Sequence, residues 1–182
     1  MKKFELPPDV KLVCGILYHD EAWVEPCLQD LAARFGEMDF RSPALPFEYT
    51  DYYFGEMGKP LFRVFVSFFH LIPSENLLES KLFTEKIERK YATEAQGKRV
   101  LNLDPGYLTA AAFVLATSKN YAHRIHLGQG VFAQQELLFE RKRIRTLDWT
   151  YPDYRSFEYQ EMLRRIRQVY LSQLKTSSNG AL

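Results

Sequence analysis

Two hydrophobic periodicities alternate along this chain. Lys11–Tyr18 (KLVCGILY) and Leu61–Leu71 (LFRVFVSFFHL) are short, mostly apolar runs of strand length. In the second run Phe62, Val64, Val66 and Phe68 face one way, while Leu61, Arg63, Phe65, Ser67 and Phe69 face the other. Both faces are largely apolar, so this strand is expected inside a sheet covered on both sides. Between the two runs, Val24, Cys27, Leu28, Leu31 and Phe35 recur at helical spacing, from an Asp20 N-cap to Gly36. Pro26 either sits in the first turn of a helix starting near Val24 or kinks one starting at Glu21. Met38–Thr50 holds two prolines and reads as an edge strand or an irregular extended segment, with DYYFGEMGKP as a loop after it.

Pro73-Ser74 opens a second helix, with Leu78, Leu82, Phe83, Ile87 and Tyr91 on its apolar side. Lys81 falls opposite much of that stripe and reads as solvated. Arg99–Leu103 reads as a strand and Asp104-Pro105-Gly106 as a tight turn. The Ala-rich Tyr107–Thr117 reads as helix by propensity. His123–Leu127, Val131–Phe139 and Ile144–Leu147 follow as a meander, with turns at Gly128–Gly130 and near Arg141-Lys142. Ser156–Leu174 is an amphipathic helix burying Tyr159, Leu163, Ile166, Val169, Tyr170 and Leu174, and 176–182 is a frayed tail. The first half thus runs β-α-β-β-α-β, the order of a ferredoxin-like (split βαβ) sheet. The expectation is an α+β fold in a single domain over residues 11–175, behind a lead-in at 1–10. Its sheet is mixed but largely antiparallel, with an added β-meander and a C-terminal helix.

Composition narrows the classes of function. Lys+Arg 24 against Asp+Glu 23 leaves a formal charge of +1, so the chain carries no strong nucleic-acid signal, although a local basic patch is compatible with it. Cys14 and Cys27 fit no CxxC or Cys/His zinc spacing and read as buried free thiols. No apolar run approaches the length of a membrane span, and none behind Lys2-Lys3 makes a signal peptide. A cytoplasmic protein is the default expectation.

Candidate chemistry gathers between Arg99 and Arg155. Asp104 reads either as a general-base or metal-binding carboxylate, or as a turn acid bonded to the nearby backbone. Asp51, beside Tyr52 and Tyr53, is a candidate second carboxylate, and such a pair would suit a hard cation such as magnesium; no motif specifies a metal. His123 is a candidate acid or base because its ordinary pKa lies near neutrality. On a strand, His123 and His126 point to opposite faces and do not form a metal pair. Lys119, Arg124 and Arg155 are candidates for an anion clamp, with ion pairs to Asp104, Asp148 and Asp153 as the alternative. Tyr107, Tyr151 and Tyr154 are candidate ligand contacts, although Tyr151 and Tyr154 could equally seat the last helix on the sheet. Nothing matches a GxSxG elbow or HExxH, and Gly128-Gln129-Gly130 reads as a hairpin turn rather than a dinucleotide fingerprint.

The run NLDPGYLTAAAFVLATSKNYAHRIHLGQGVFA, with DYY at 51–53, KLFT at 81–84 and WTYPDYRS at 149–156, resembles the bacterial proteins grouped as domain of unknown function 4416. The likeness runs over roughly residues 10–172. It implies no established activity and assigns no catalytic residue. Some relatives carry a GTP-binding label. This sequence departs from what that label needs: it has no GxxxxGK[ST] loop, and Lys119-Asn120 is no guanine-reading NKxD. Two readings follow. One is an enzyme or binder for an anionic, phosphate- or nucleotide-like small molecule. The other is a non-catalytic interaction module for a protein partner or RNA.

Overall fold

The computed structural model describes residues 5–141 and 143–179. Its strands are β1 (Lys11–Tyr18), β2 (Met38–Arg41), β3 (Leu45–Pro46), β4 (Phe62–Phe68), β5 (Leu101–Leu108), β6 (Ala112–Thr117), β7 (Ile125–Gly128), β8 (Val131–Phe139) and β9 (Ile144–Thr146). They form one sheet in the order β2-β4-β1-β5-β6-β8-β7, with β3 also on β4 and β9 also on β8. Every pairing is antiparallel. The helices are α1 (Val24–Phe35), α2 (Phe54–Met57), α3 (Leu77–Glu94) and α4 (Phe157–Asn179). The molecule is therefore a single α+β domain built on a large antiparallel sheet.

The two faces of β4 separate as the alternation requires. Val64, Val66 and Phe68 join Leu12, Cys14, Ile16, Leu101 and Leu103 under α1 and α3. Phe65 points the other way and joins Val13, Leu108, Phe113 and Leu137 under Tyr159, Leu163 and Ile166 of α4. Both cysteines are buried and free. Asp20 accepts from the Ala22 amide at 2.9 Å and caps a 3-10 turn over Glu21–Trp23. This lets α1 begin at Val24, so Pro26 falls in the first turn, where no amide hydrogen is needed.

Four expectations are corrected. Asp104-Pro105-Gly106 is not a turn, because β5 pairs with β1 without a break, from Lys11↔Leu108 to Tyr18↔Leu101. Tyr107–Thr117 is not a helix: Tyr107 and Leu108 end β5, a turn at Thr109 follows, and the Ala-rich run becomes β6. Burial between β5 and β8 outweighs alanine's helical preference there. Lys81 is not solvated, being only 7% exposed. The last helix does not end at Leu174 but continues to Asn179; residues 180–182 of the expected tail lie outside the described residues. The loop expected after Thr50 contains the single turn α2. The turn placed near Arg141-Lys142 is closed by the Glu140 amide donating to the Arg143 carbonyl at 2.9 Å, with Lys142 itself outside the described residues. Among the described residues no helix is long and apolar enough to cross a membrane.

Candidate functional site

The sheet splits between β5 and β6. The two strands pair only from Gly106↔Leu115 to Leu108↔Phe113, and beyond that β6 departs. Pro105 helps to end the ladder. Leu103 turns its amide and carbonyl away from β1, and Pro105, two residues on, turns the same way but has no N–H to offer. At Gly106 the strands approach so closely that a Cβ would lie 2.6 Å from the Val114 carbonyl. Past the split, side chains of α3 take the place of the missing strand. The Leu103 amide donates to Glu88 Oε1 at 2.6 Å, and Lys81 Nζ donates to the Leu103 carbonyl at 3.1 Å.

The split opens into a cleft of about 750 Å³, within the range of small-molecule sites. One wall carries Phe47, Tyr49, Tyr52 and Tyr53, another Tyr151 and Tyr154, and α3 contributes Lys81, Glu85, Glu88 and Arg89. Arg63, Asn102, Asp104 and Asp153 join the lining as one hydrogen-bonded polar group. Arg63 is 2% exposed; its Nη1 donates to Asp153 Oδ2 at 2.8 Å and its Nη2 to Asp104 Oδ2 at 3.1 Å. Asn102 Nδ2 adds a second donor to that Asp104 oxygen, at 2.9 Å. Burial pushes the Asp153 carboxyl up, against the pull of Arg63. Burial likewise raises Glu88, opposed by Lys81 and by the Leu103 amide. Arg99, at the edge of this group, donates to Glu56 at 3.1 Å and to Asn102.

The mouth has a different character. Lys119 Nζ stands 4.4 Å from the Tyr52 ring centroid. Arg124 donates to the Lys119 carbonyl at 2.6 Å, to Tyr151 Oη at 2.7 Å and to Gln134 Oε1 at 2.6 Å. Neither cation has a carboxylate within ion-pair distance among the described residues, although Arg124 lies in the field of the buried Glu136. Behind them Gln134 is shared: His123 Nε2 lies 3.0 Å from its Oε1, and its Nε2 donates to Glu136. Glu136 is fully buried and accepts from the Tyr151 amide at 2.5 Å. Burial pushes its carboxyl up to about 7, partly offset by the Tyr151 amide and Gln134.

Of the residues singled out from the sequence, Asp104, Lys119, Tyr151 and Tyr154 line the cleft. Arg124 joins them through Tyr151, and His123 meets Arg124 at Gln134. Others lie elsewhere. Asp51 is exposed and stands 4.0 Å from Lys59; the carboxylate that shares Arg63 with Asp104 is Asp153. Arg155 is spent on the carbonyls of Thr150, Leu147 and Asp148. Tyr107 packs with Leu77 and Leu78 beside α3. Among the described residues no group of three or more His, Cys, Asp or Glu side chains gathers as a metal site. Arg63, Glu88 and Glu136 were not singled out. Arg63 carried a signal, as a charged residue within an otherwise apolar run where burial demands a partner, whereas Glu88 sits among charged helix residues and Glu136 beside two glutamines.

These features define a class: an α+β domain whose split antiparallel sheet holds a charged, tyrosine-walled cleft. The chain belongs to the family described as domain of unknown function (DUF4416), whose model matches residues 8–170. No curated protein and no solved structure matches it.

Proposed function

We propose that the cleft binds an anionic small molecule of the phosphate or nucleotide kind. The observation that carries this reading is a pair of cations outside any ion pair, Lys119 on the cleft lining and Arg124 bonded to Tyr151 beside it. A planar guanidinium and a mobile ammonium together suit a phosphate or carboxylate. Arg124 spends three N–H groups on neutral acceptors and keeps others for a ligand. Tyr52 and Tyr151 flank the pair and offer ring faces to a base or sugar. The acid–base candidates are Asp104, which lines the cleft, and His123, which shares Gln134 with Arg124. The ferredoxin-like reading of the sheet belongs with this proposal. It is supported by the order β2-β4-β1-β5, with α1 after β1 and α3 after β4.

A thermal-shift screen of the whole chain against nucleotides, sugar phosphates and inorganic phosphate tests the reading. A ligand at a hundred times its dissociation constant stabilises by about 2.7 kcal/mol, and at this length raises the midpoint by roughly 5–11 °C. The shift is expected to vanish in Lys119→Ala, whose side chain supports no ion pair of the fold. A shift that persists undiminished in both Lys119→Ala and Arg124→Ala places the ligand elsewhere.

A second reading, a non-catalytic interaction module, has its own observation. Tyr121, His123 and Trp149 form a ring stack at 6.0 and 5.0 Å, with Tyr121 58% and Trp149 38% exposed. Such a stack suits a protein partner or unpaired bases of RNA. Retention of a partner by the wild type and its loss in Trp149→Ala would favour this reading over the first.

A further inference from the structure

The cleft is polarised along its depth. The two cations at its mouth form no ion pair among the described residues, whereas Arg63 and Arg99 inside it each pair with two carboxylates. Arg63 has Asp104 and Asp153, Arg99 has Glu56 and Glu88, and Lys81 lies in the field of Glu88. An anion is therefore held at the mouth and disfavoured inside, where it would meet Asp104, Asp153 and Glu88.

Inside, Asp104 is left with one oxygen to give. Its Oδ2 accepts from both Arg63 and Asn102, while its Oδ1 accepts from no described residue, and the side chain remains 21% exposed. A carboxylate oxygen open to a cleft takes a hydrogen bond from a ligand donor, either a hydroxyl or an ammonium. Two features separate these. Asp104 is already paired with the Arg63 guanidinium at 3.1 Å, so an ammonium at its open oxygen would stand beside a like charge, whereas a hydroxyl would not. The walls are the tyrosines Tyr52, Tyr53 and Tyr151, amphipathic rings that pack against C–H faces and meet hydroxyls at their edge. Both features favour a neutral hydroxylated group.

Resting on the anion-binding reading above, we infer that the ligand is a phosphorylated polyhydroxyl compound, a sugar phosphate or nucleotide. Its phosphate sits at Lys119 and Arg124, and its hydroxyls reach Asp104 Oδ1 between the tyrosine walls. The volume of about 750 Å³ accommodates a molecule of that size.

Calorimetric titration of the intact chain with four kinds of probe tests this. They are a set of sugar phosphates (ribose 5-phosphate, glucose 6-phosphate and adenosine monophosphate), butyl phosphate, inorganic phosphate and phosphoserine. At least one sugar phosphate is expected to bind about tenfold or more tighter than butyl phosphate, the worth of a hydrogen bond to a charged group. In Asp104→Asn the ratio of sugar phosphate to butyl phosphate affinity should shrink severalfold, since the lost charge acts on both phosphates alike. The comparison of probes on the wild type stands even if the variant folds poorly. Equal affinity for butyl phosphate and every sugar phosphate overturns the hydroxyl assignment and leaves the anion site standing. Tighter binding of phosphoserine than of any sugar phosphate overturns it in favour of an ammonium. Binding of none of the probes removes the anion site and this inference together.

Discussion

The amide of Leu103 donates to Glu88 Oε1 across 2.6 Å, where a neighbouring strand would otherwise take it. This bond and its companion from Lys81 keep the sheet open, because they satisfy the strand edge that the cleft exposes. Glu88→Ala orphans the amide and leaves Lys81 without its counter-charge. We expect a loss of about 1–3 kcal/mol, or a midpoint lower by roughly 2–12 °C. Glu88→Gln retains a carbonyl acceptor and should lose clearly less in the same melt. Equal losses in the two variants would mean that the amide bond is not what matters.

Gly106 and Val114 set the other limit of the split. A Cβ at Gly106 would meet the Val114 carbonyl at 2.6 Å and the Phe113 ring at 2.8 Å. Neither can retreat, since Val114 is tied to β8 and Phe113 is buried. Gly106→Ala should therefore cost about 1–3 kcal/mol through overpacking, read as a lower urea midpoint with an unchanged slope. A neutral substitution would show that β6 shifts freely against β5.

How legible this was from sequence depended on whether local or long-range forces decided each element. The run at Lys11–Tyr18 stands where the apolar pattern put it, because a strand buried on both faces writes itself into consecutive residues. The stretch from Asp104 to Thr117 misled. Asp-Pro-Gly is strong turn chemistry and Ala-Ala-Ala is strong helix chemistry, yet both yield to pairing with β1 and β8. The same pairing hides the cleft, since a gap between two strands has no signature in either strand alone. Asp104, Lys119 and Tyr151 could be suspected from their density in polar loops. Arg63 lies in an apolar strand and Glu88 on the charged side of a helix, so one passed for framework and the other for a solvated residue.

Glu136 makes stability depend on pH near neutrality. Its folded carboxyl is raised to about 7 by burial, from an ordinary value of 4.5. The folded state therefore holds a proton that the unfolded chain releases. Below 4.5 both states are protonated and no penalty applies; as pH rises from 4.5 through 7 the fold loses about 3 kcal/mol from this group. Glu136→Gln is fixed in a neutral form. The wild type is expected to lose stability relative to this variant across pH 4.5–7, and to hold a constant difference above it. Parallel curves over that window would show that Glu136 stays ionised when folded.

The Arg63 guanidinium decides whether the interior of the cleft can exist at all. It serves Asp104 and Asp153 together, and both carboxylates are largely buried. Arg63→Met fills similar space against Phe47 but leaves two carboxylates without their cation. Breaking a buried pair from one side costs about 3–5 kcal/mol, which at this length lowers the midpoint by roughly 6–20 °C. The sign of the pH dependence identifies the cause. Burial already raises Asp153 above its ordinary 3.8 while Arg63 restrains it. Without Arg63 the folded carboxyl rises further, so the variant's fold gains more from a proton than the wild type's does. The gap between variant and wild type should narrow as pH falls from 7 toward the ordinary carboxylate range. A gap that stays constant or widens on acidification would locate the loss in packing, and Arg63 would then act as a filler rather than as the charge that the two carboxylates require.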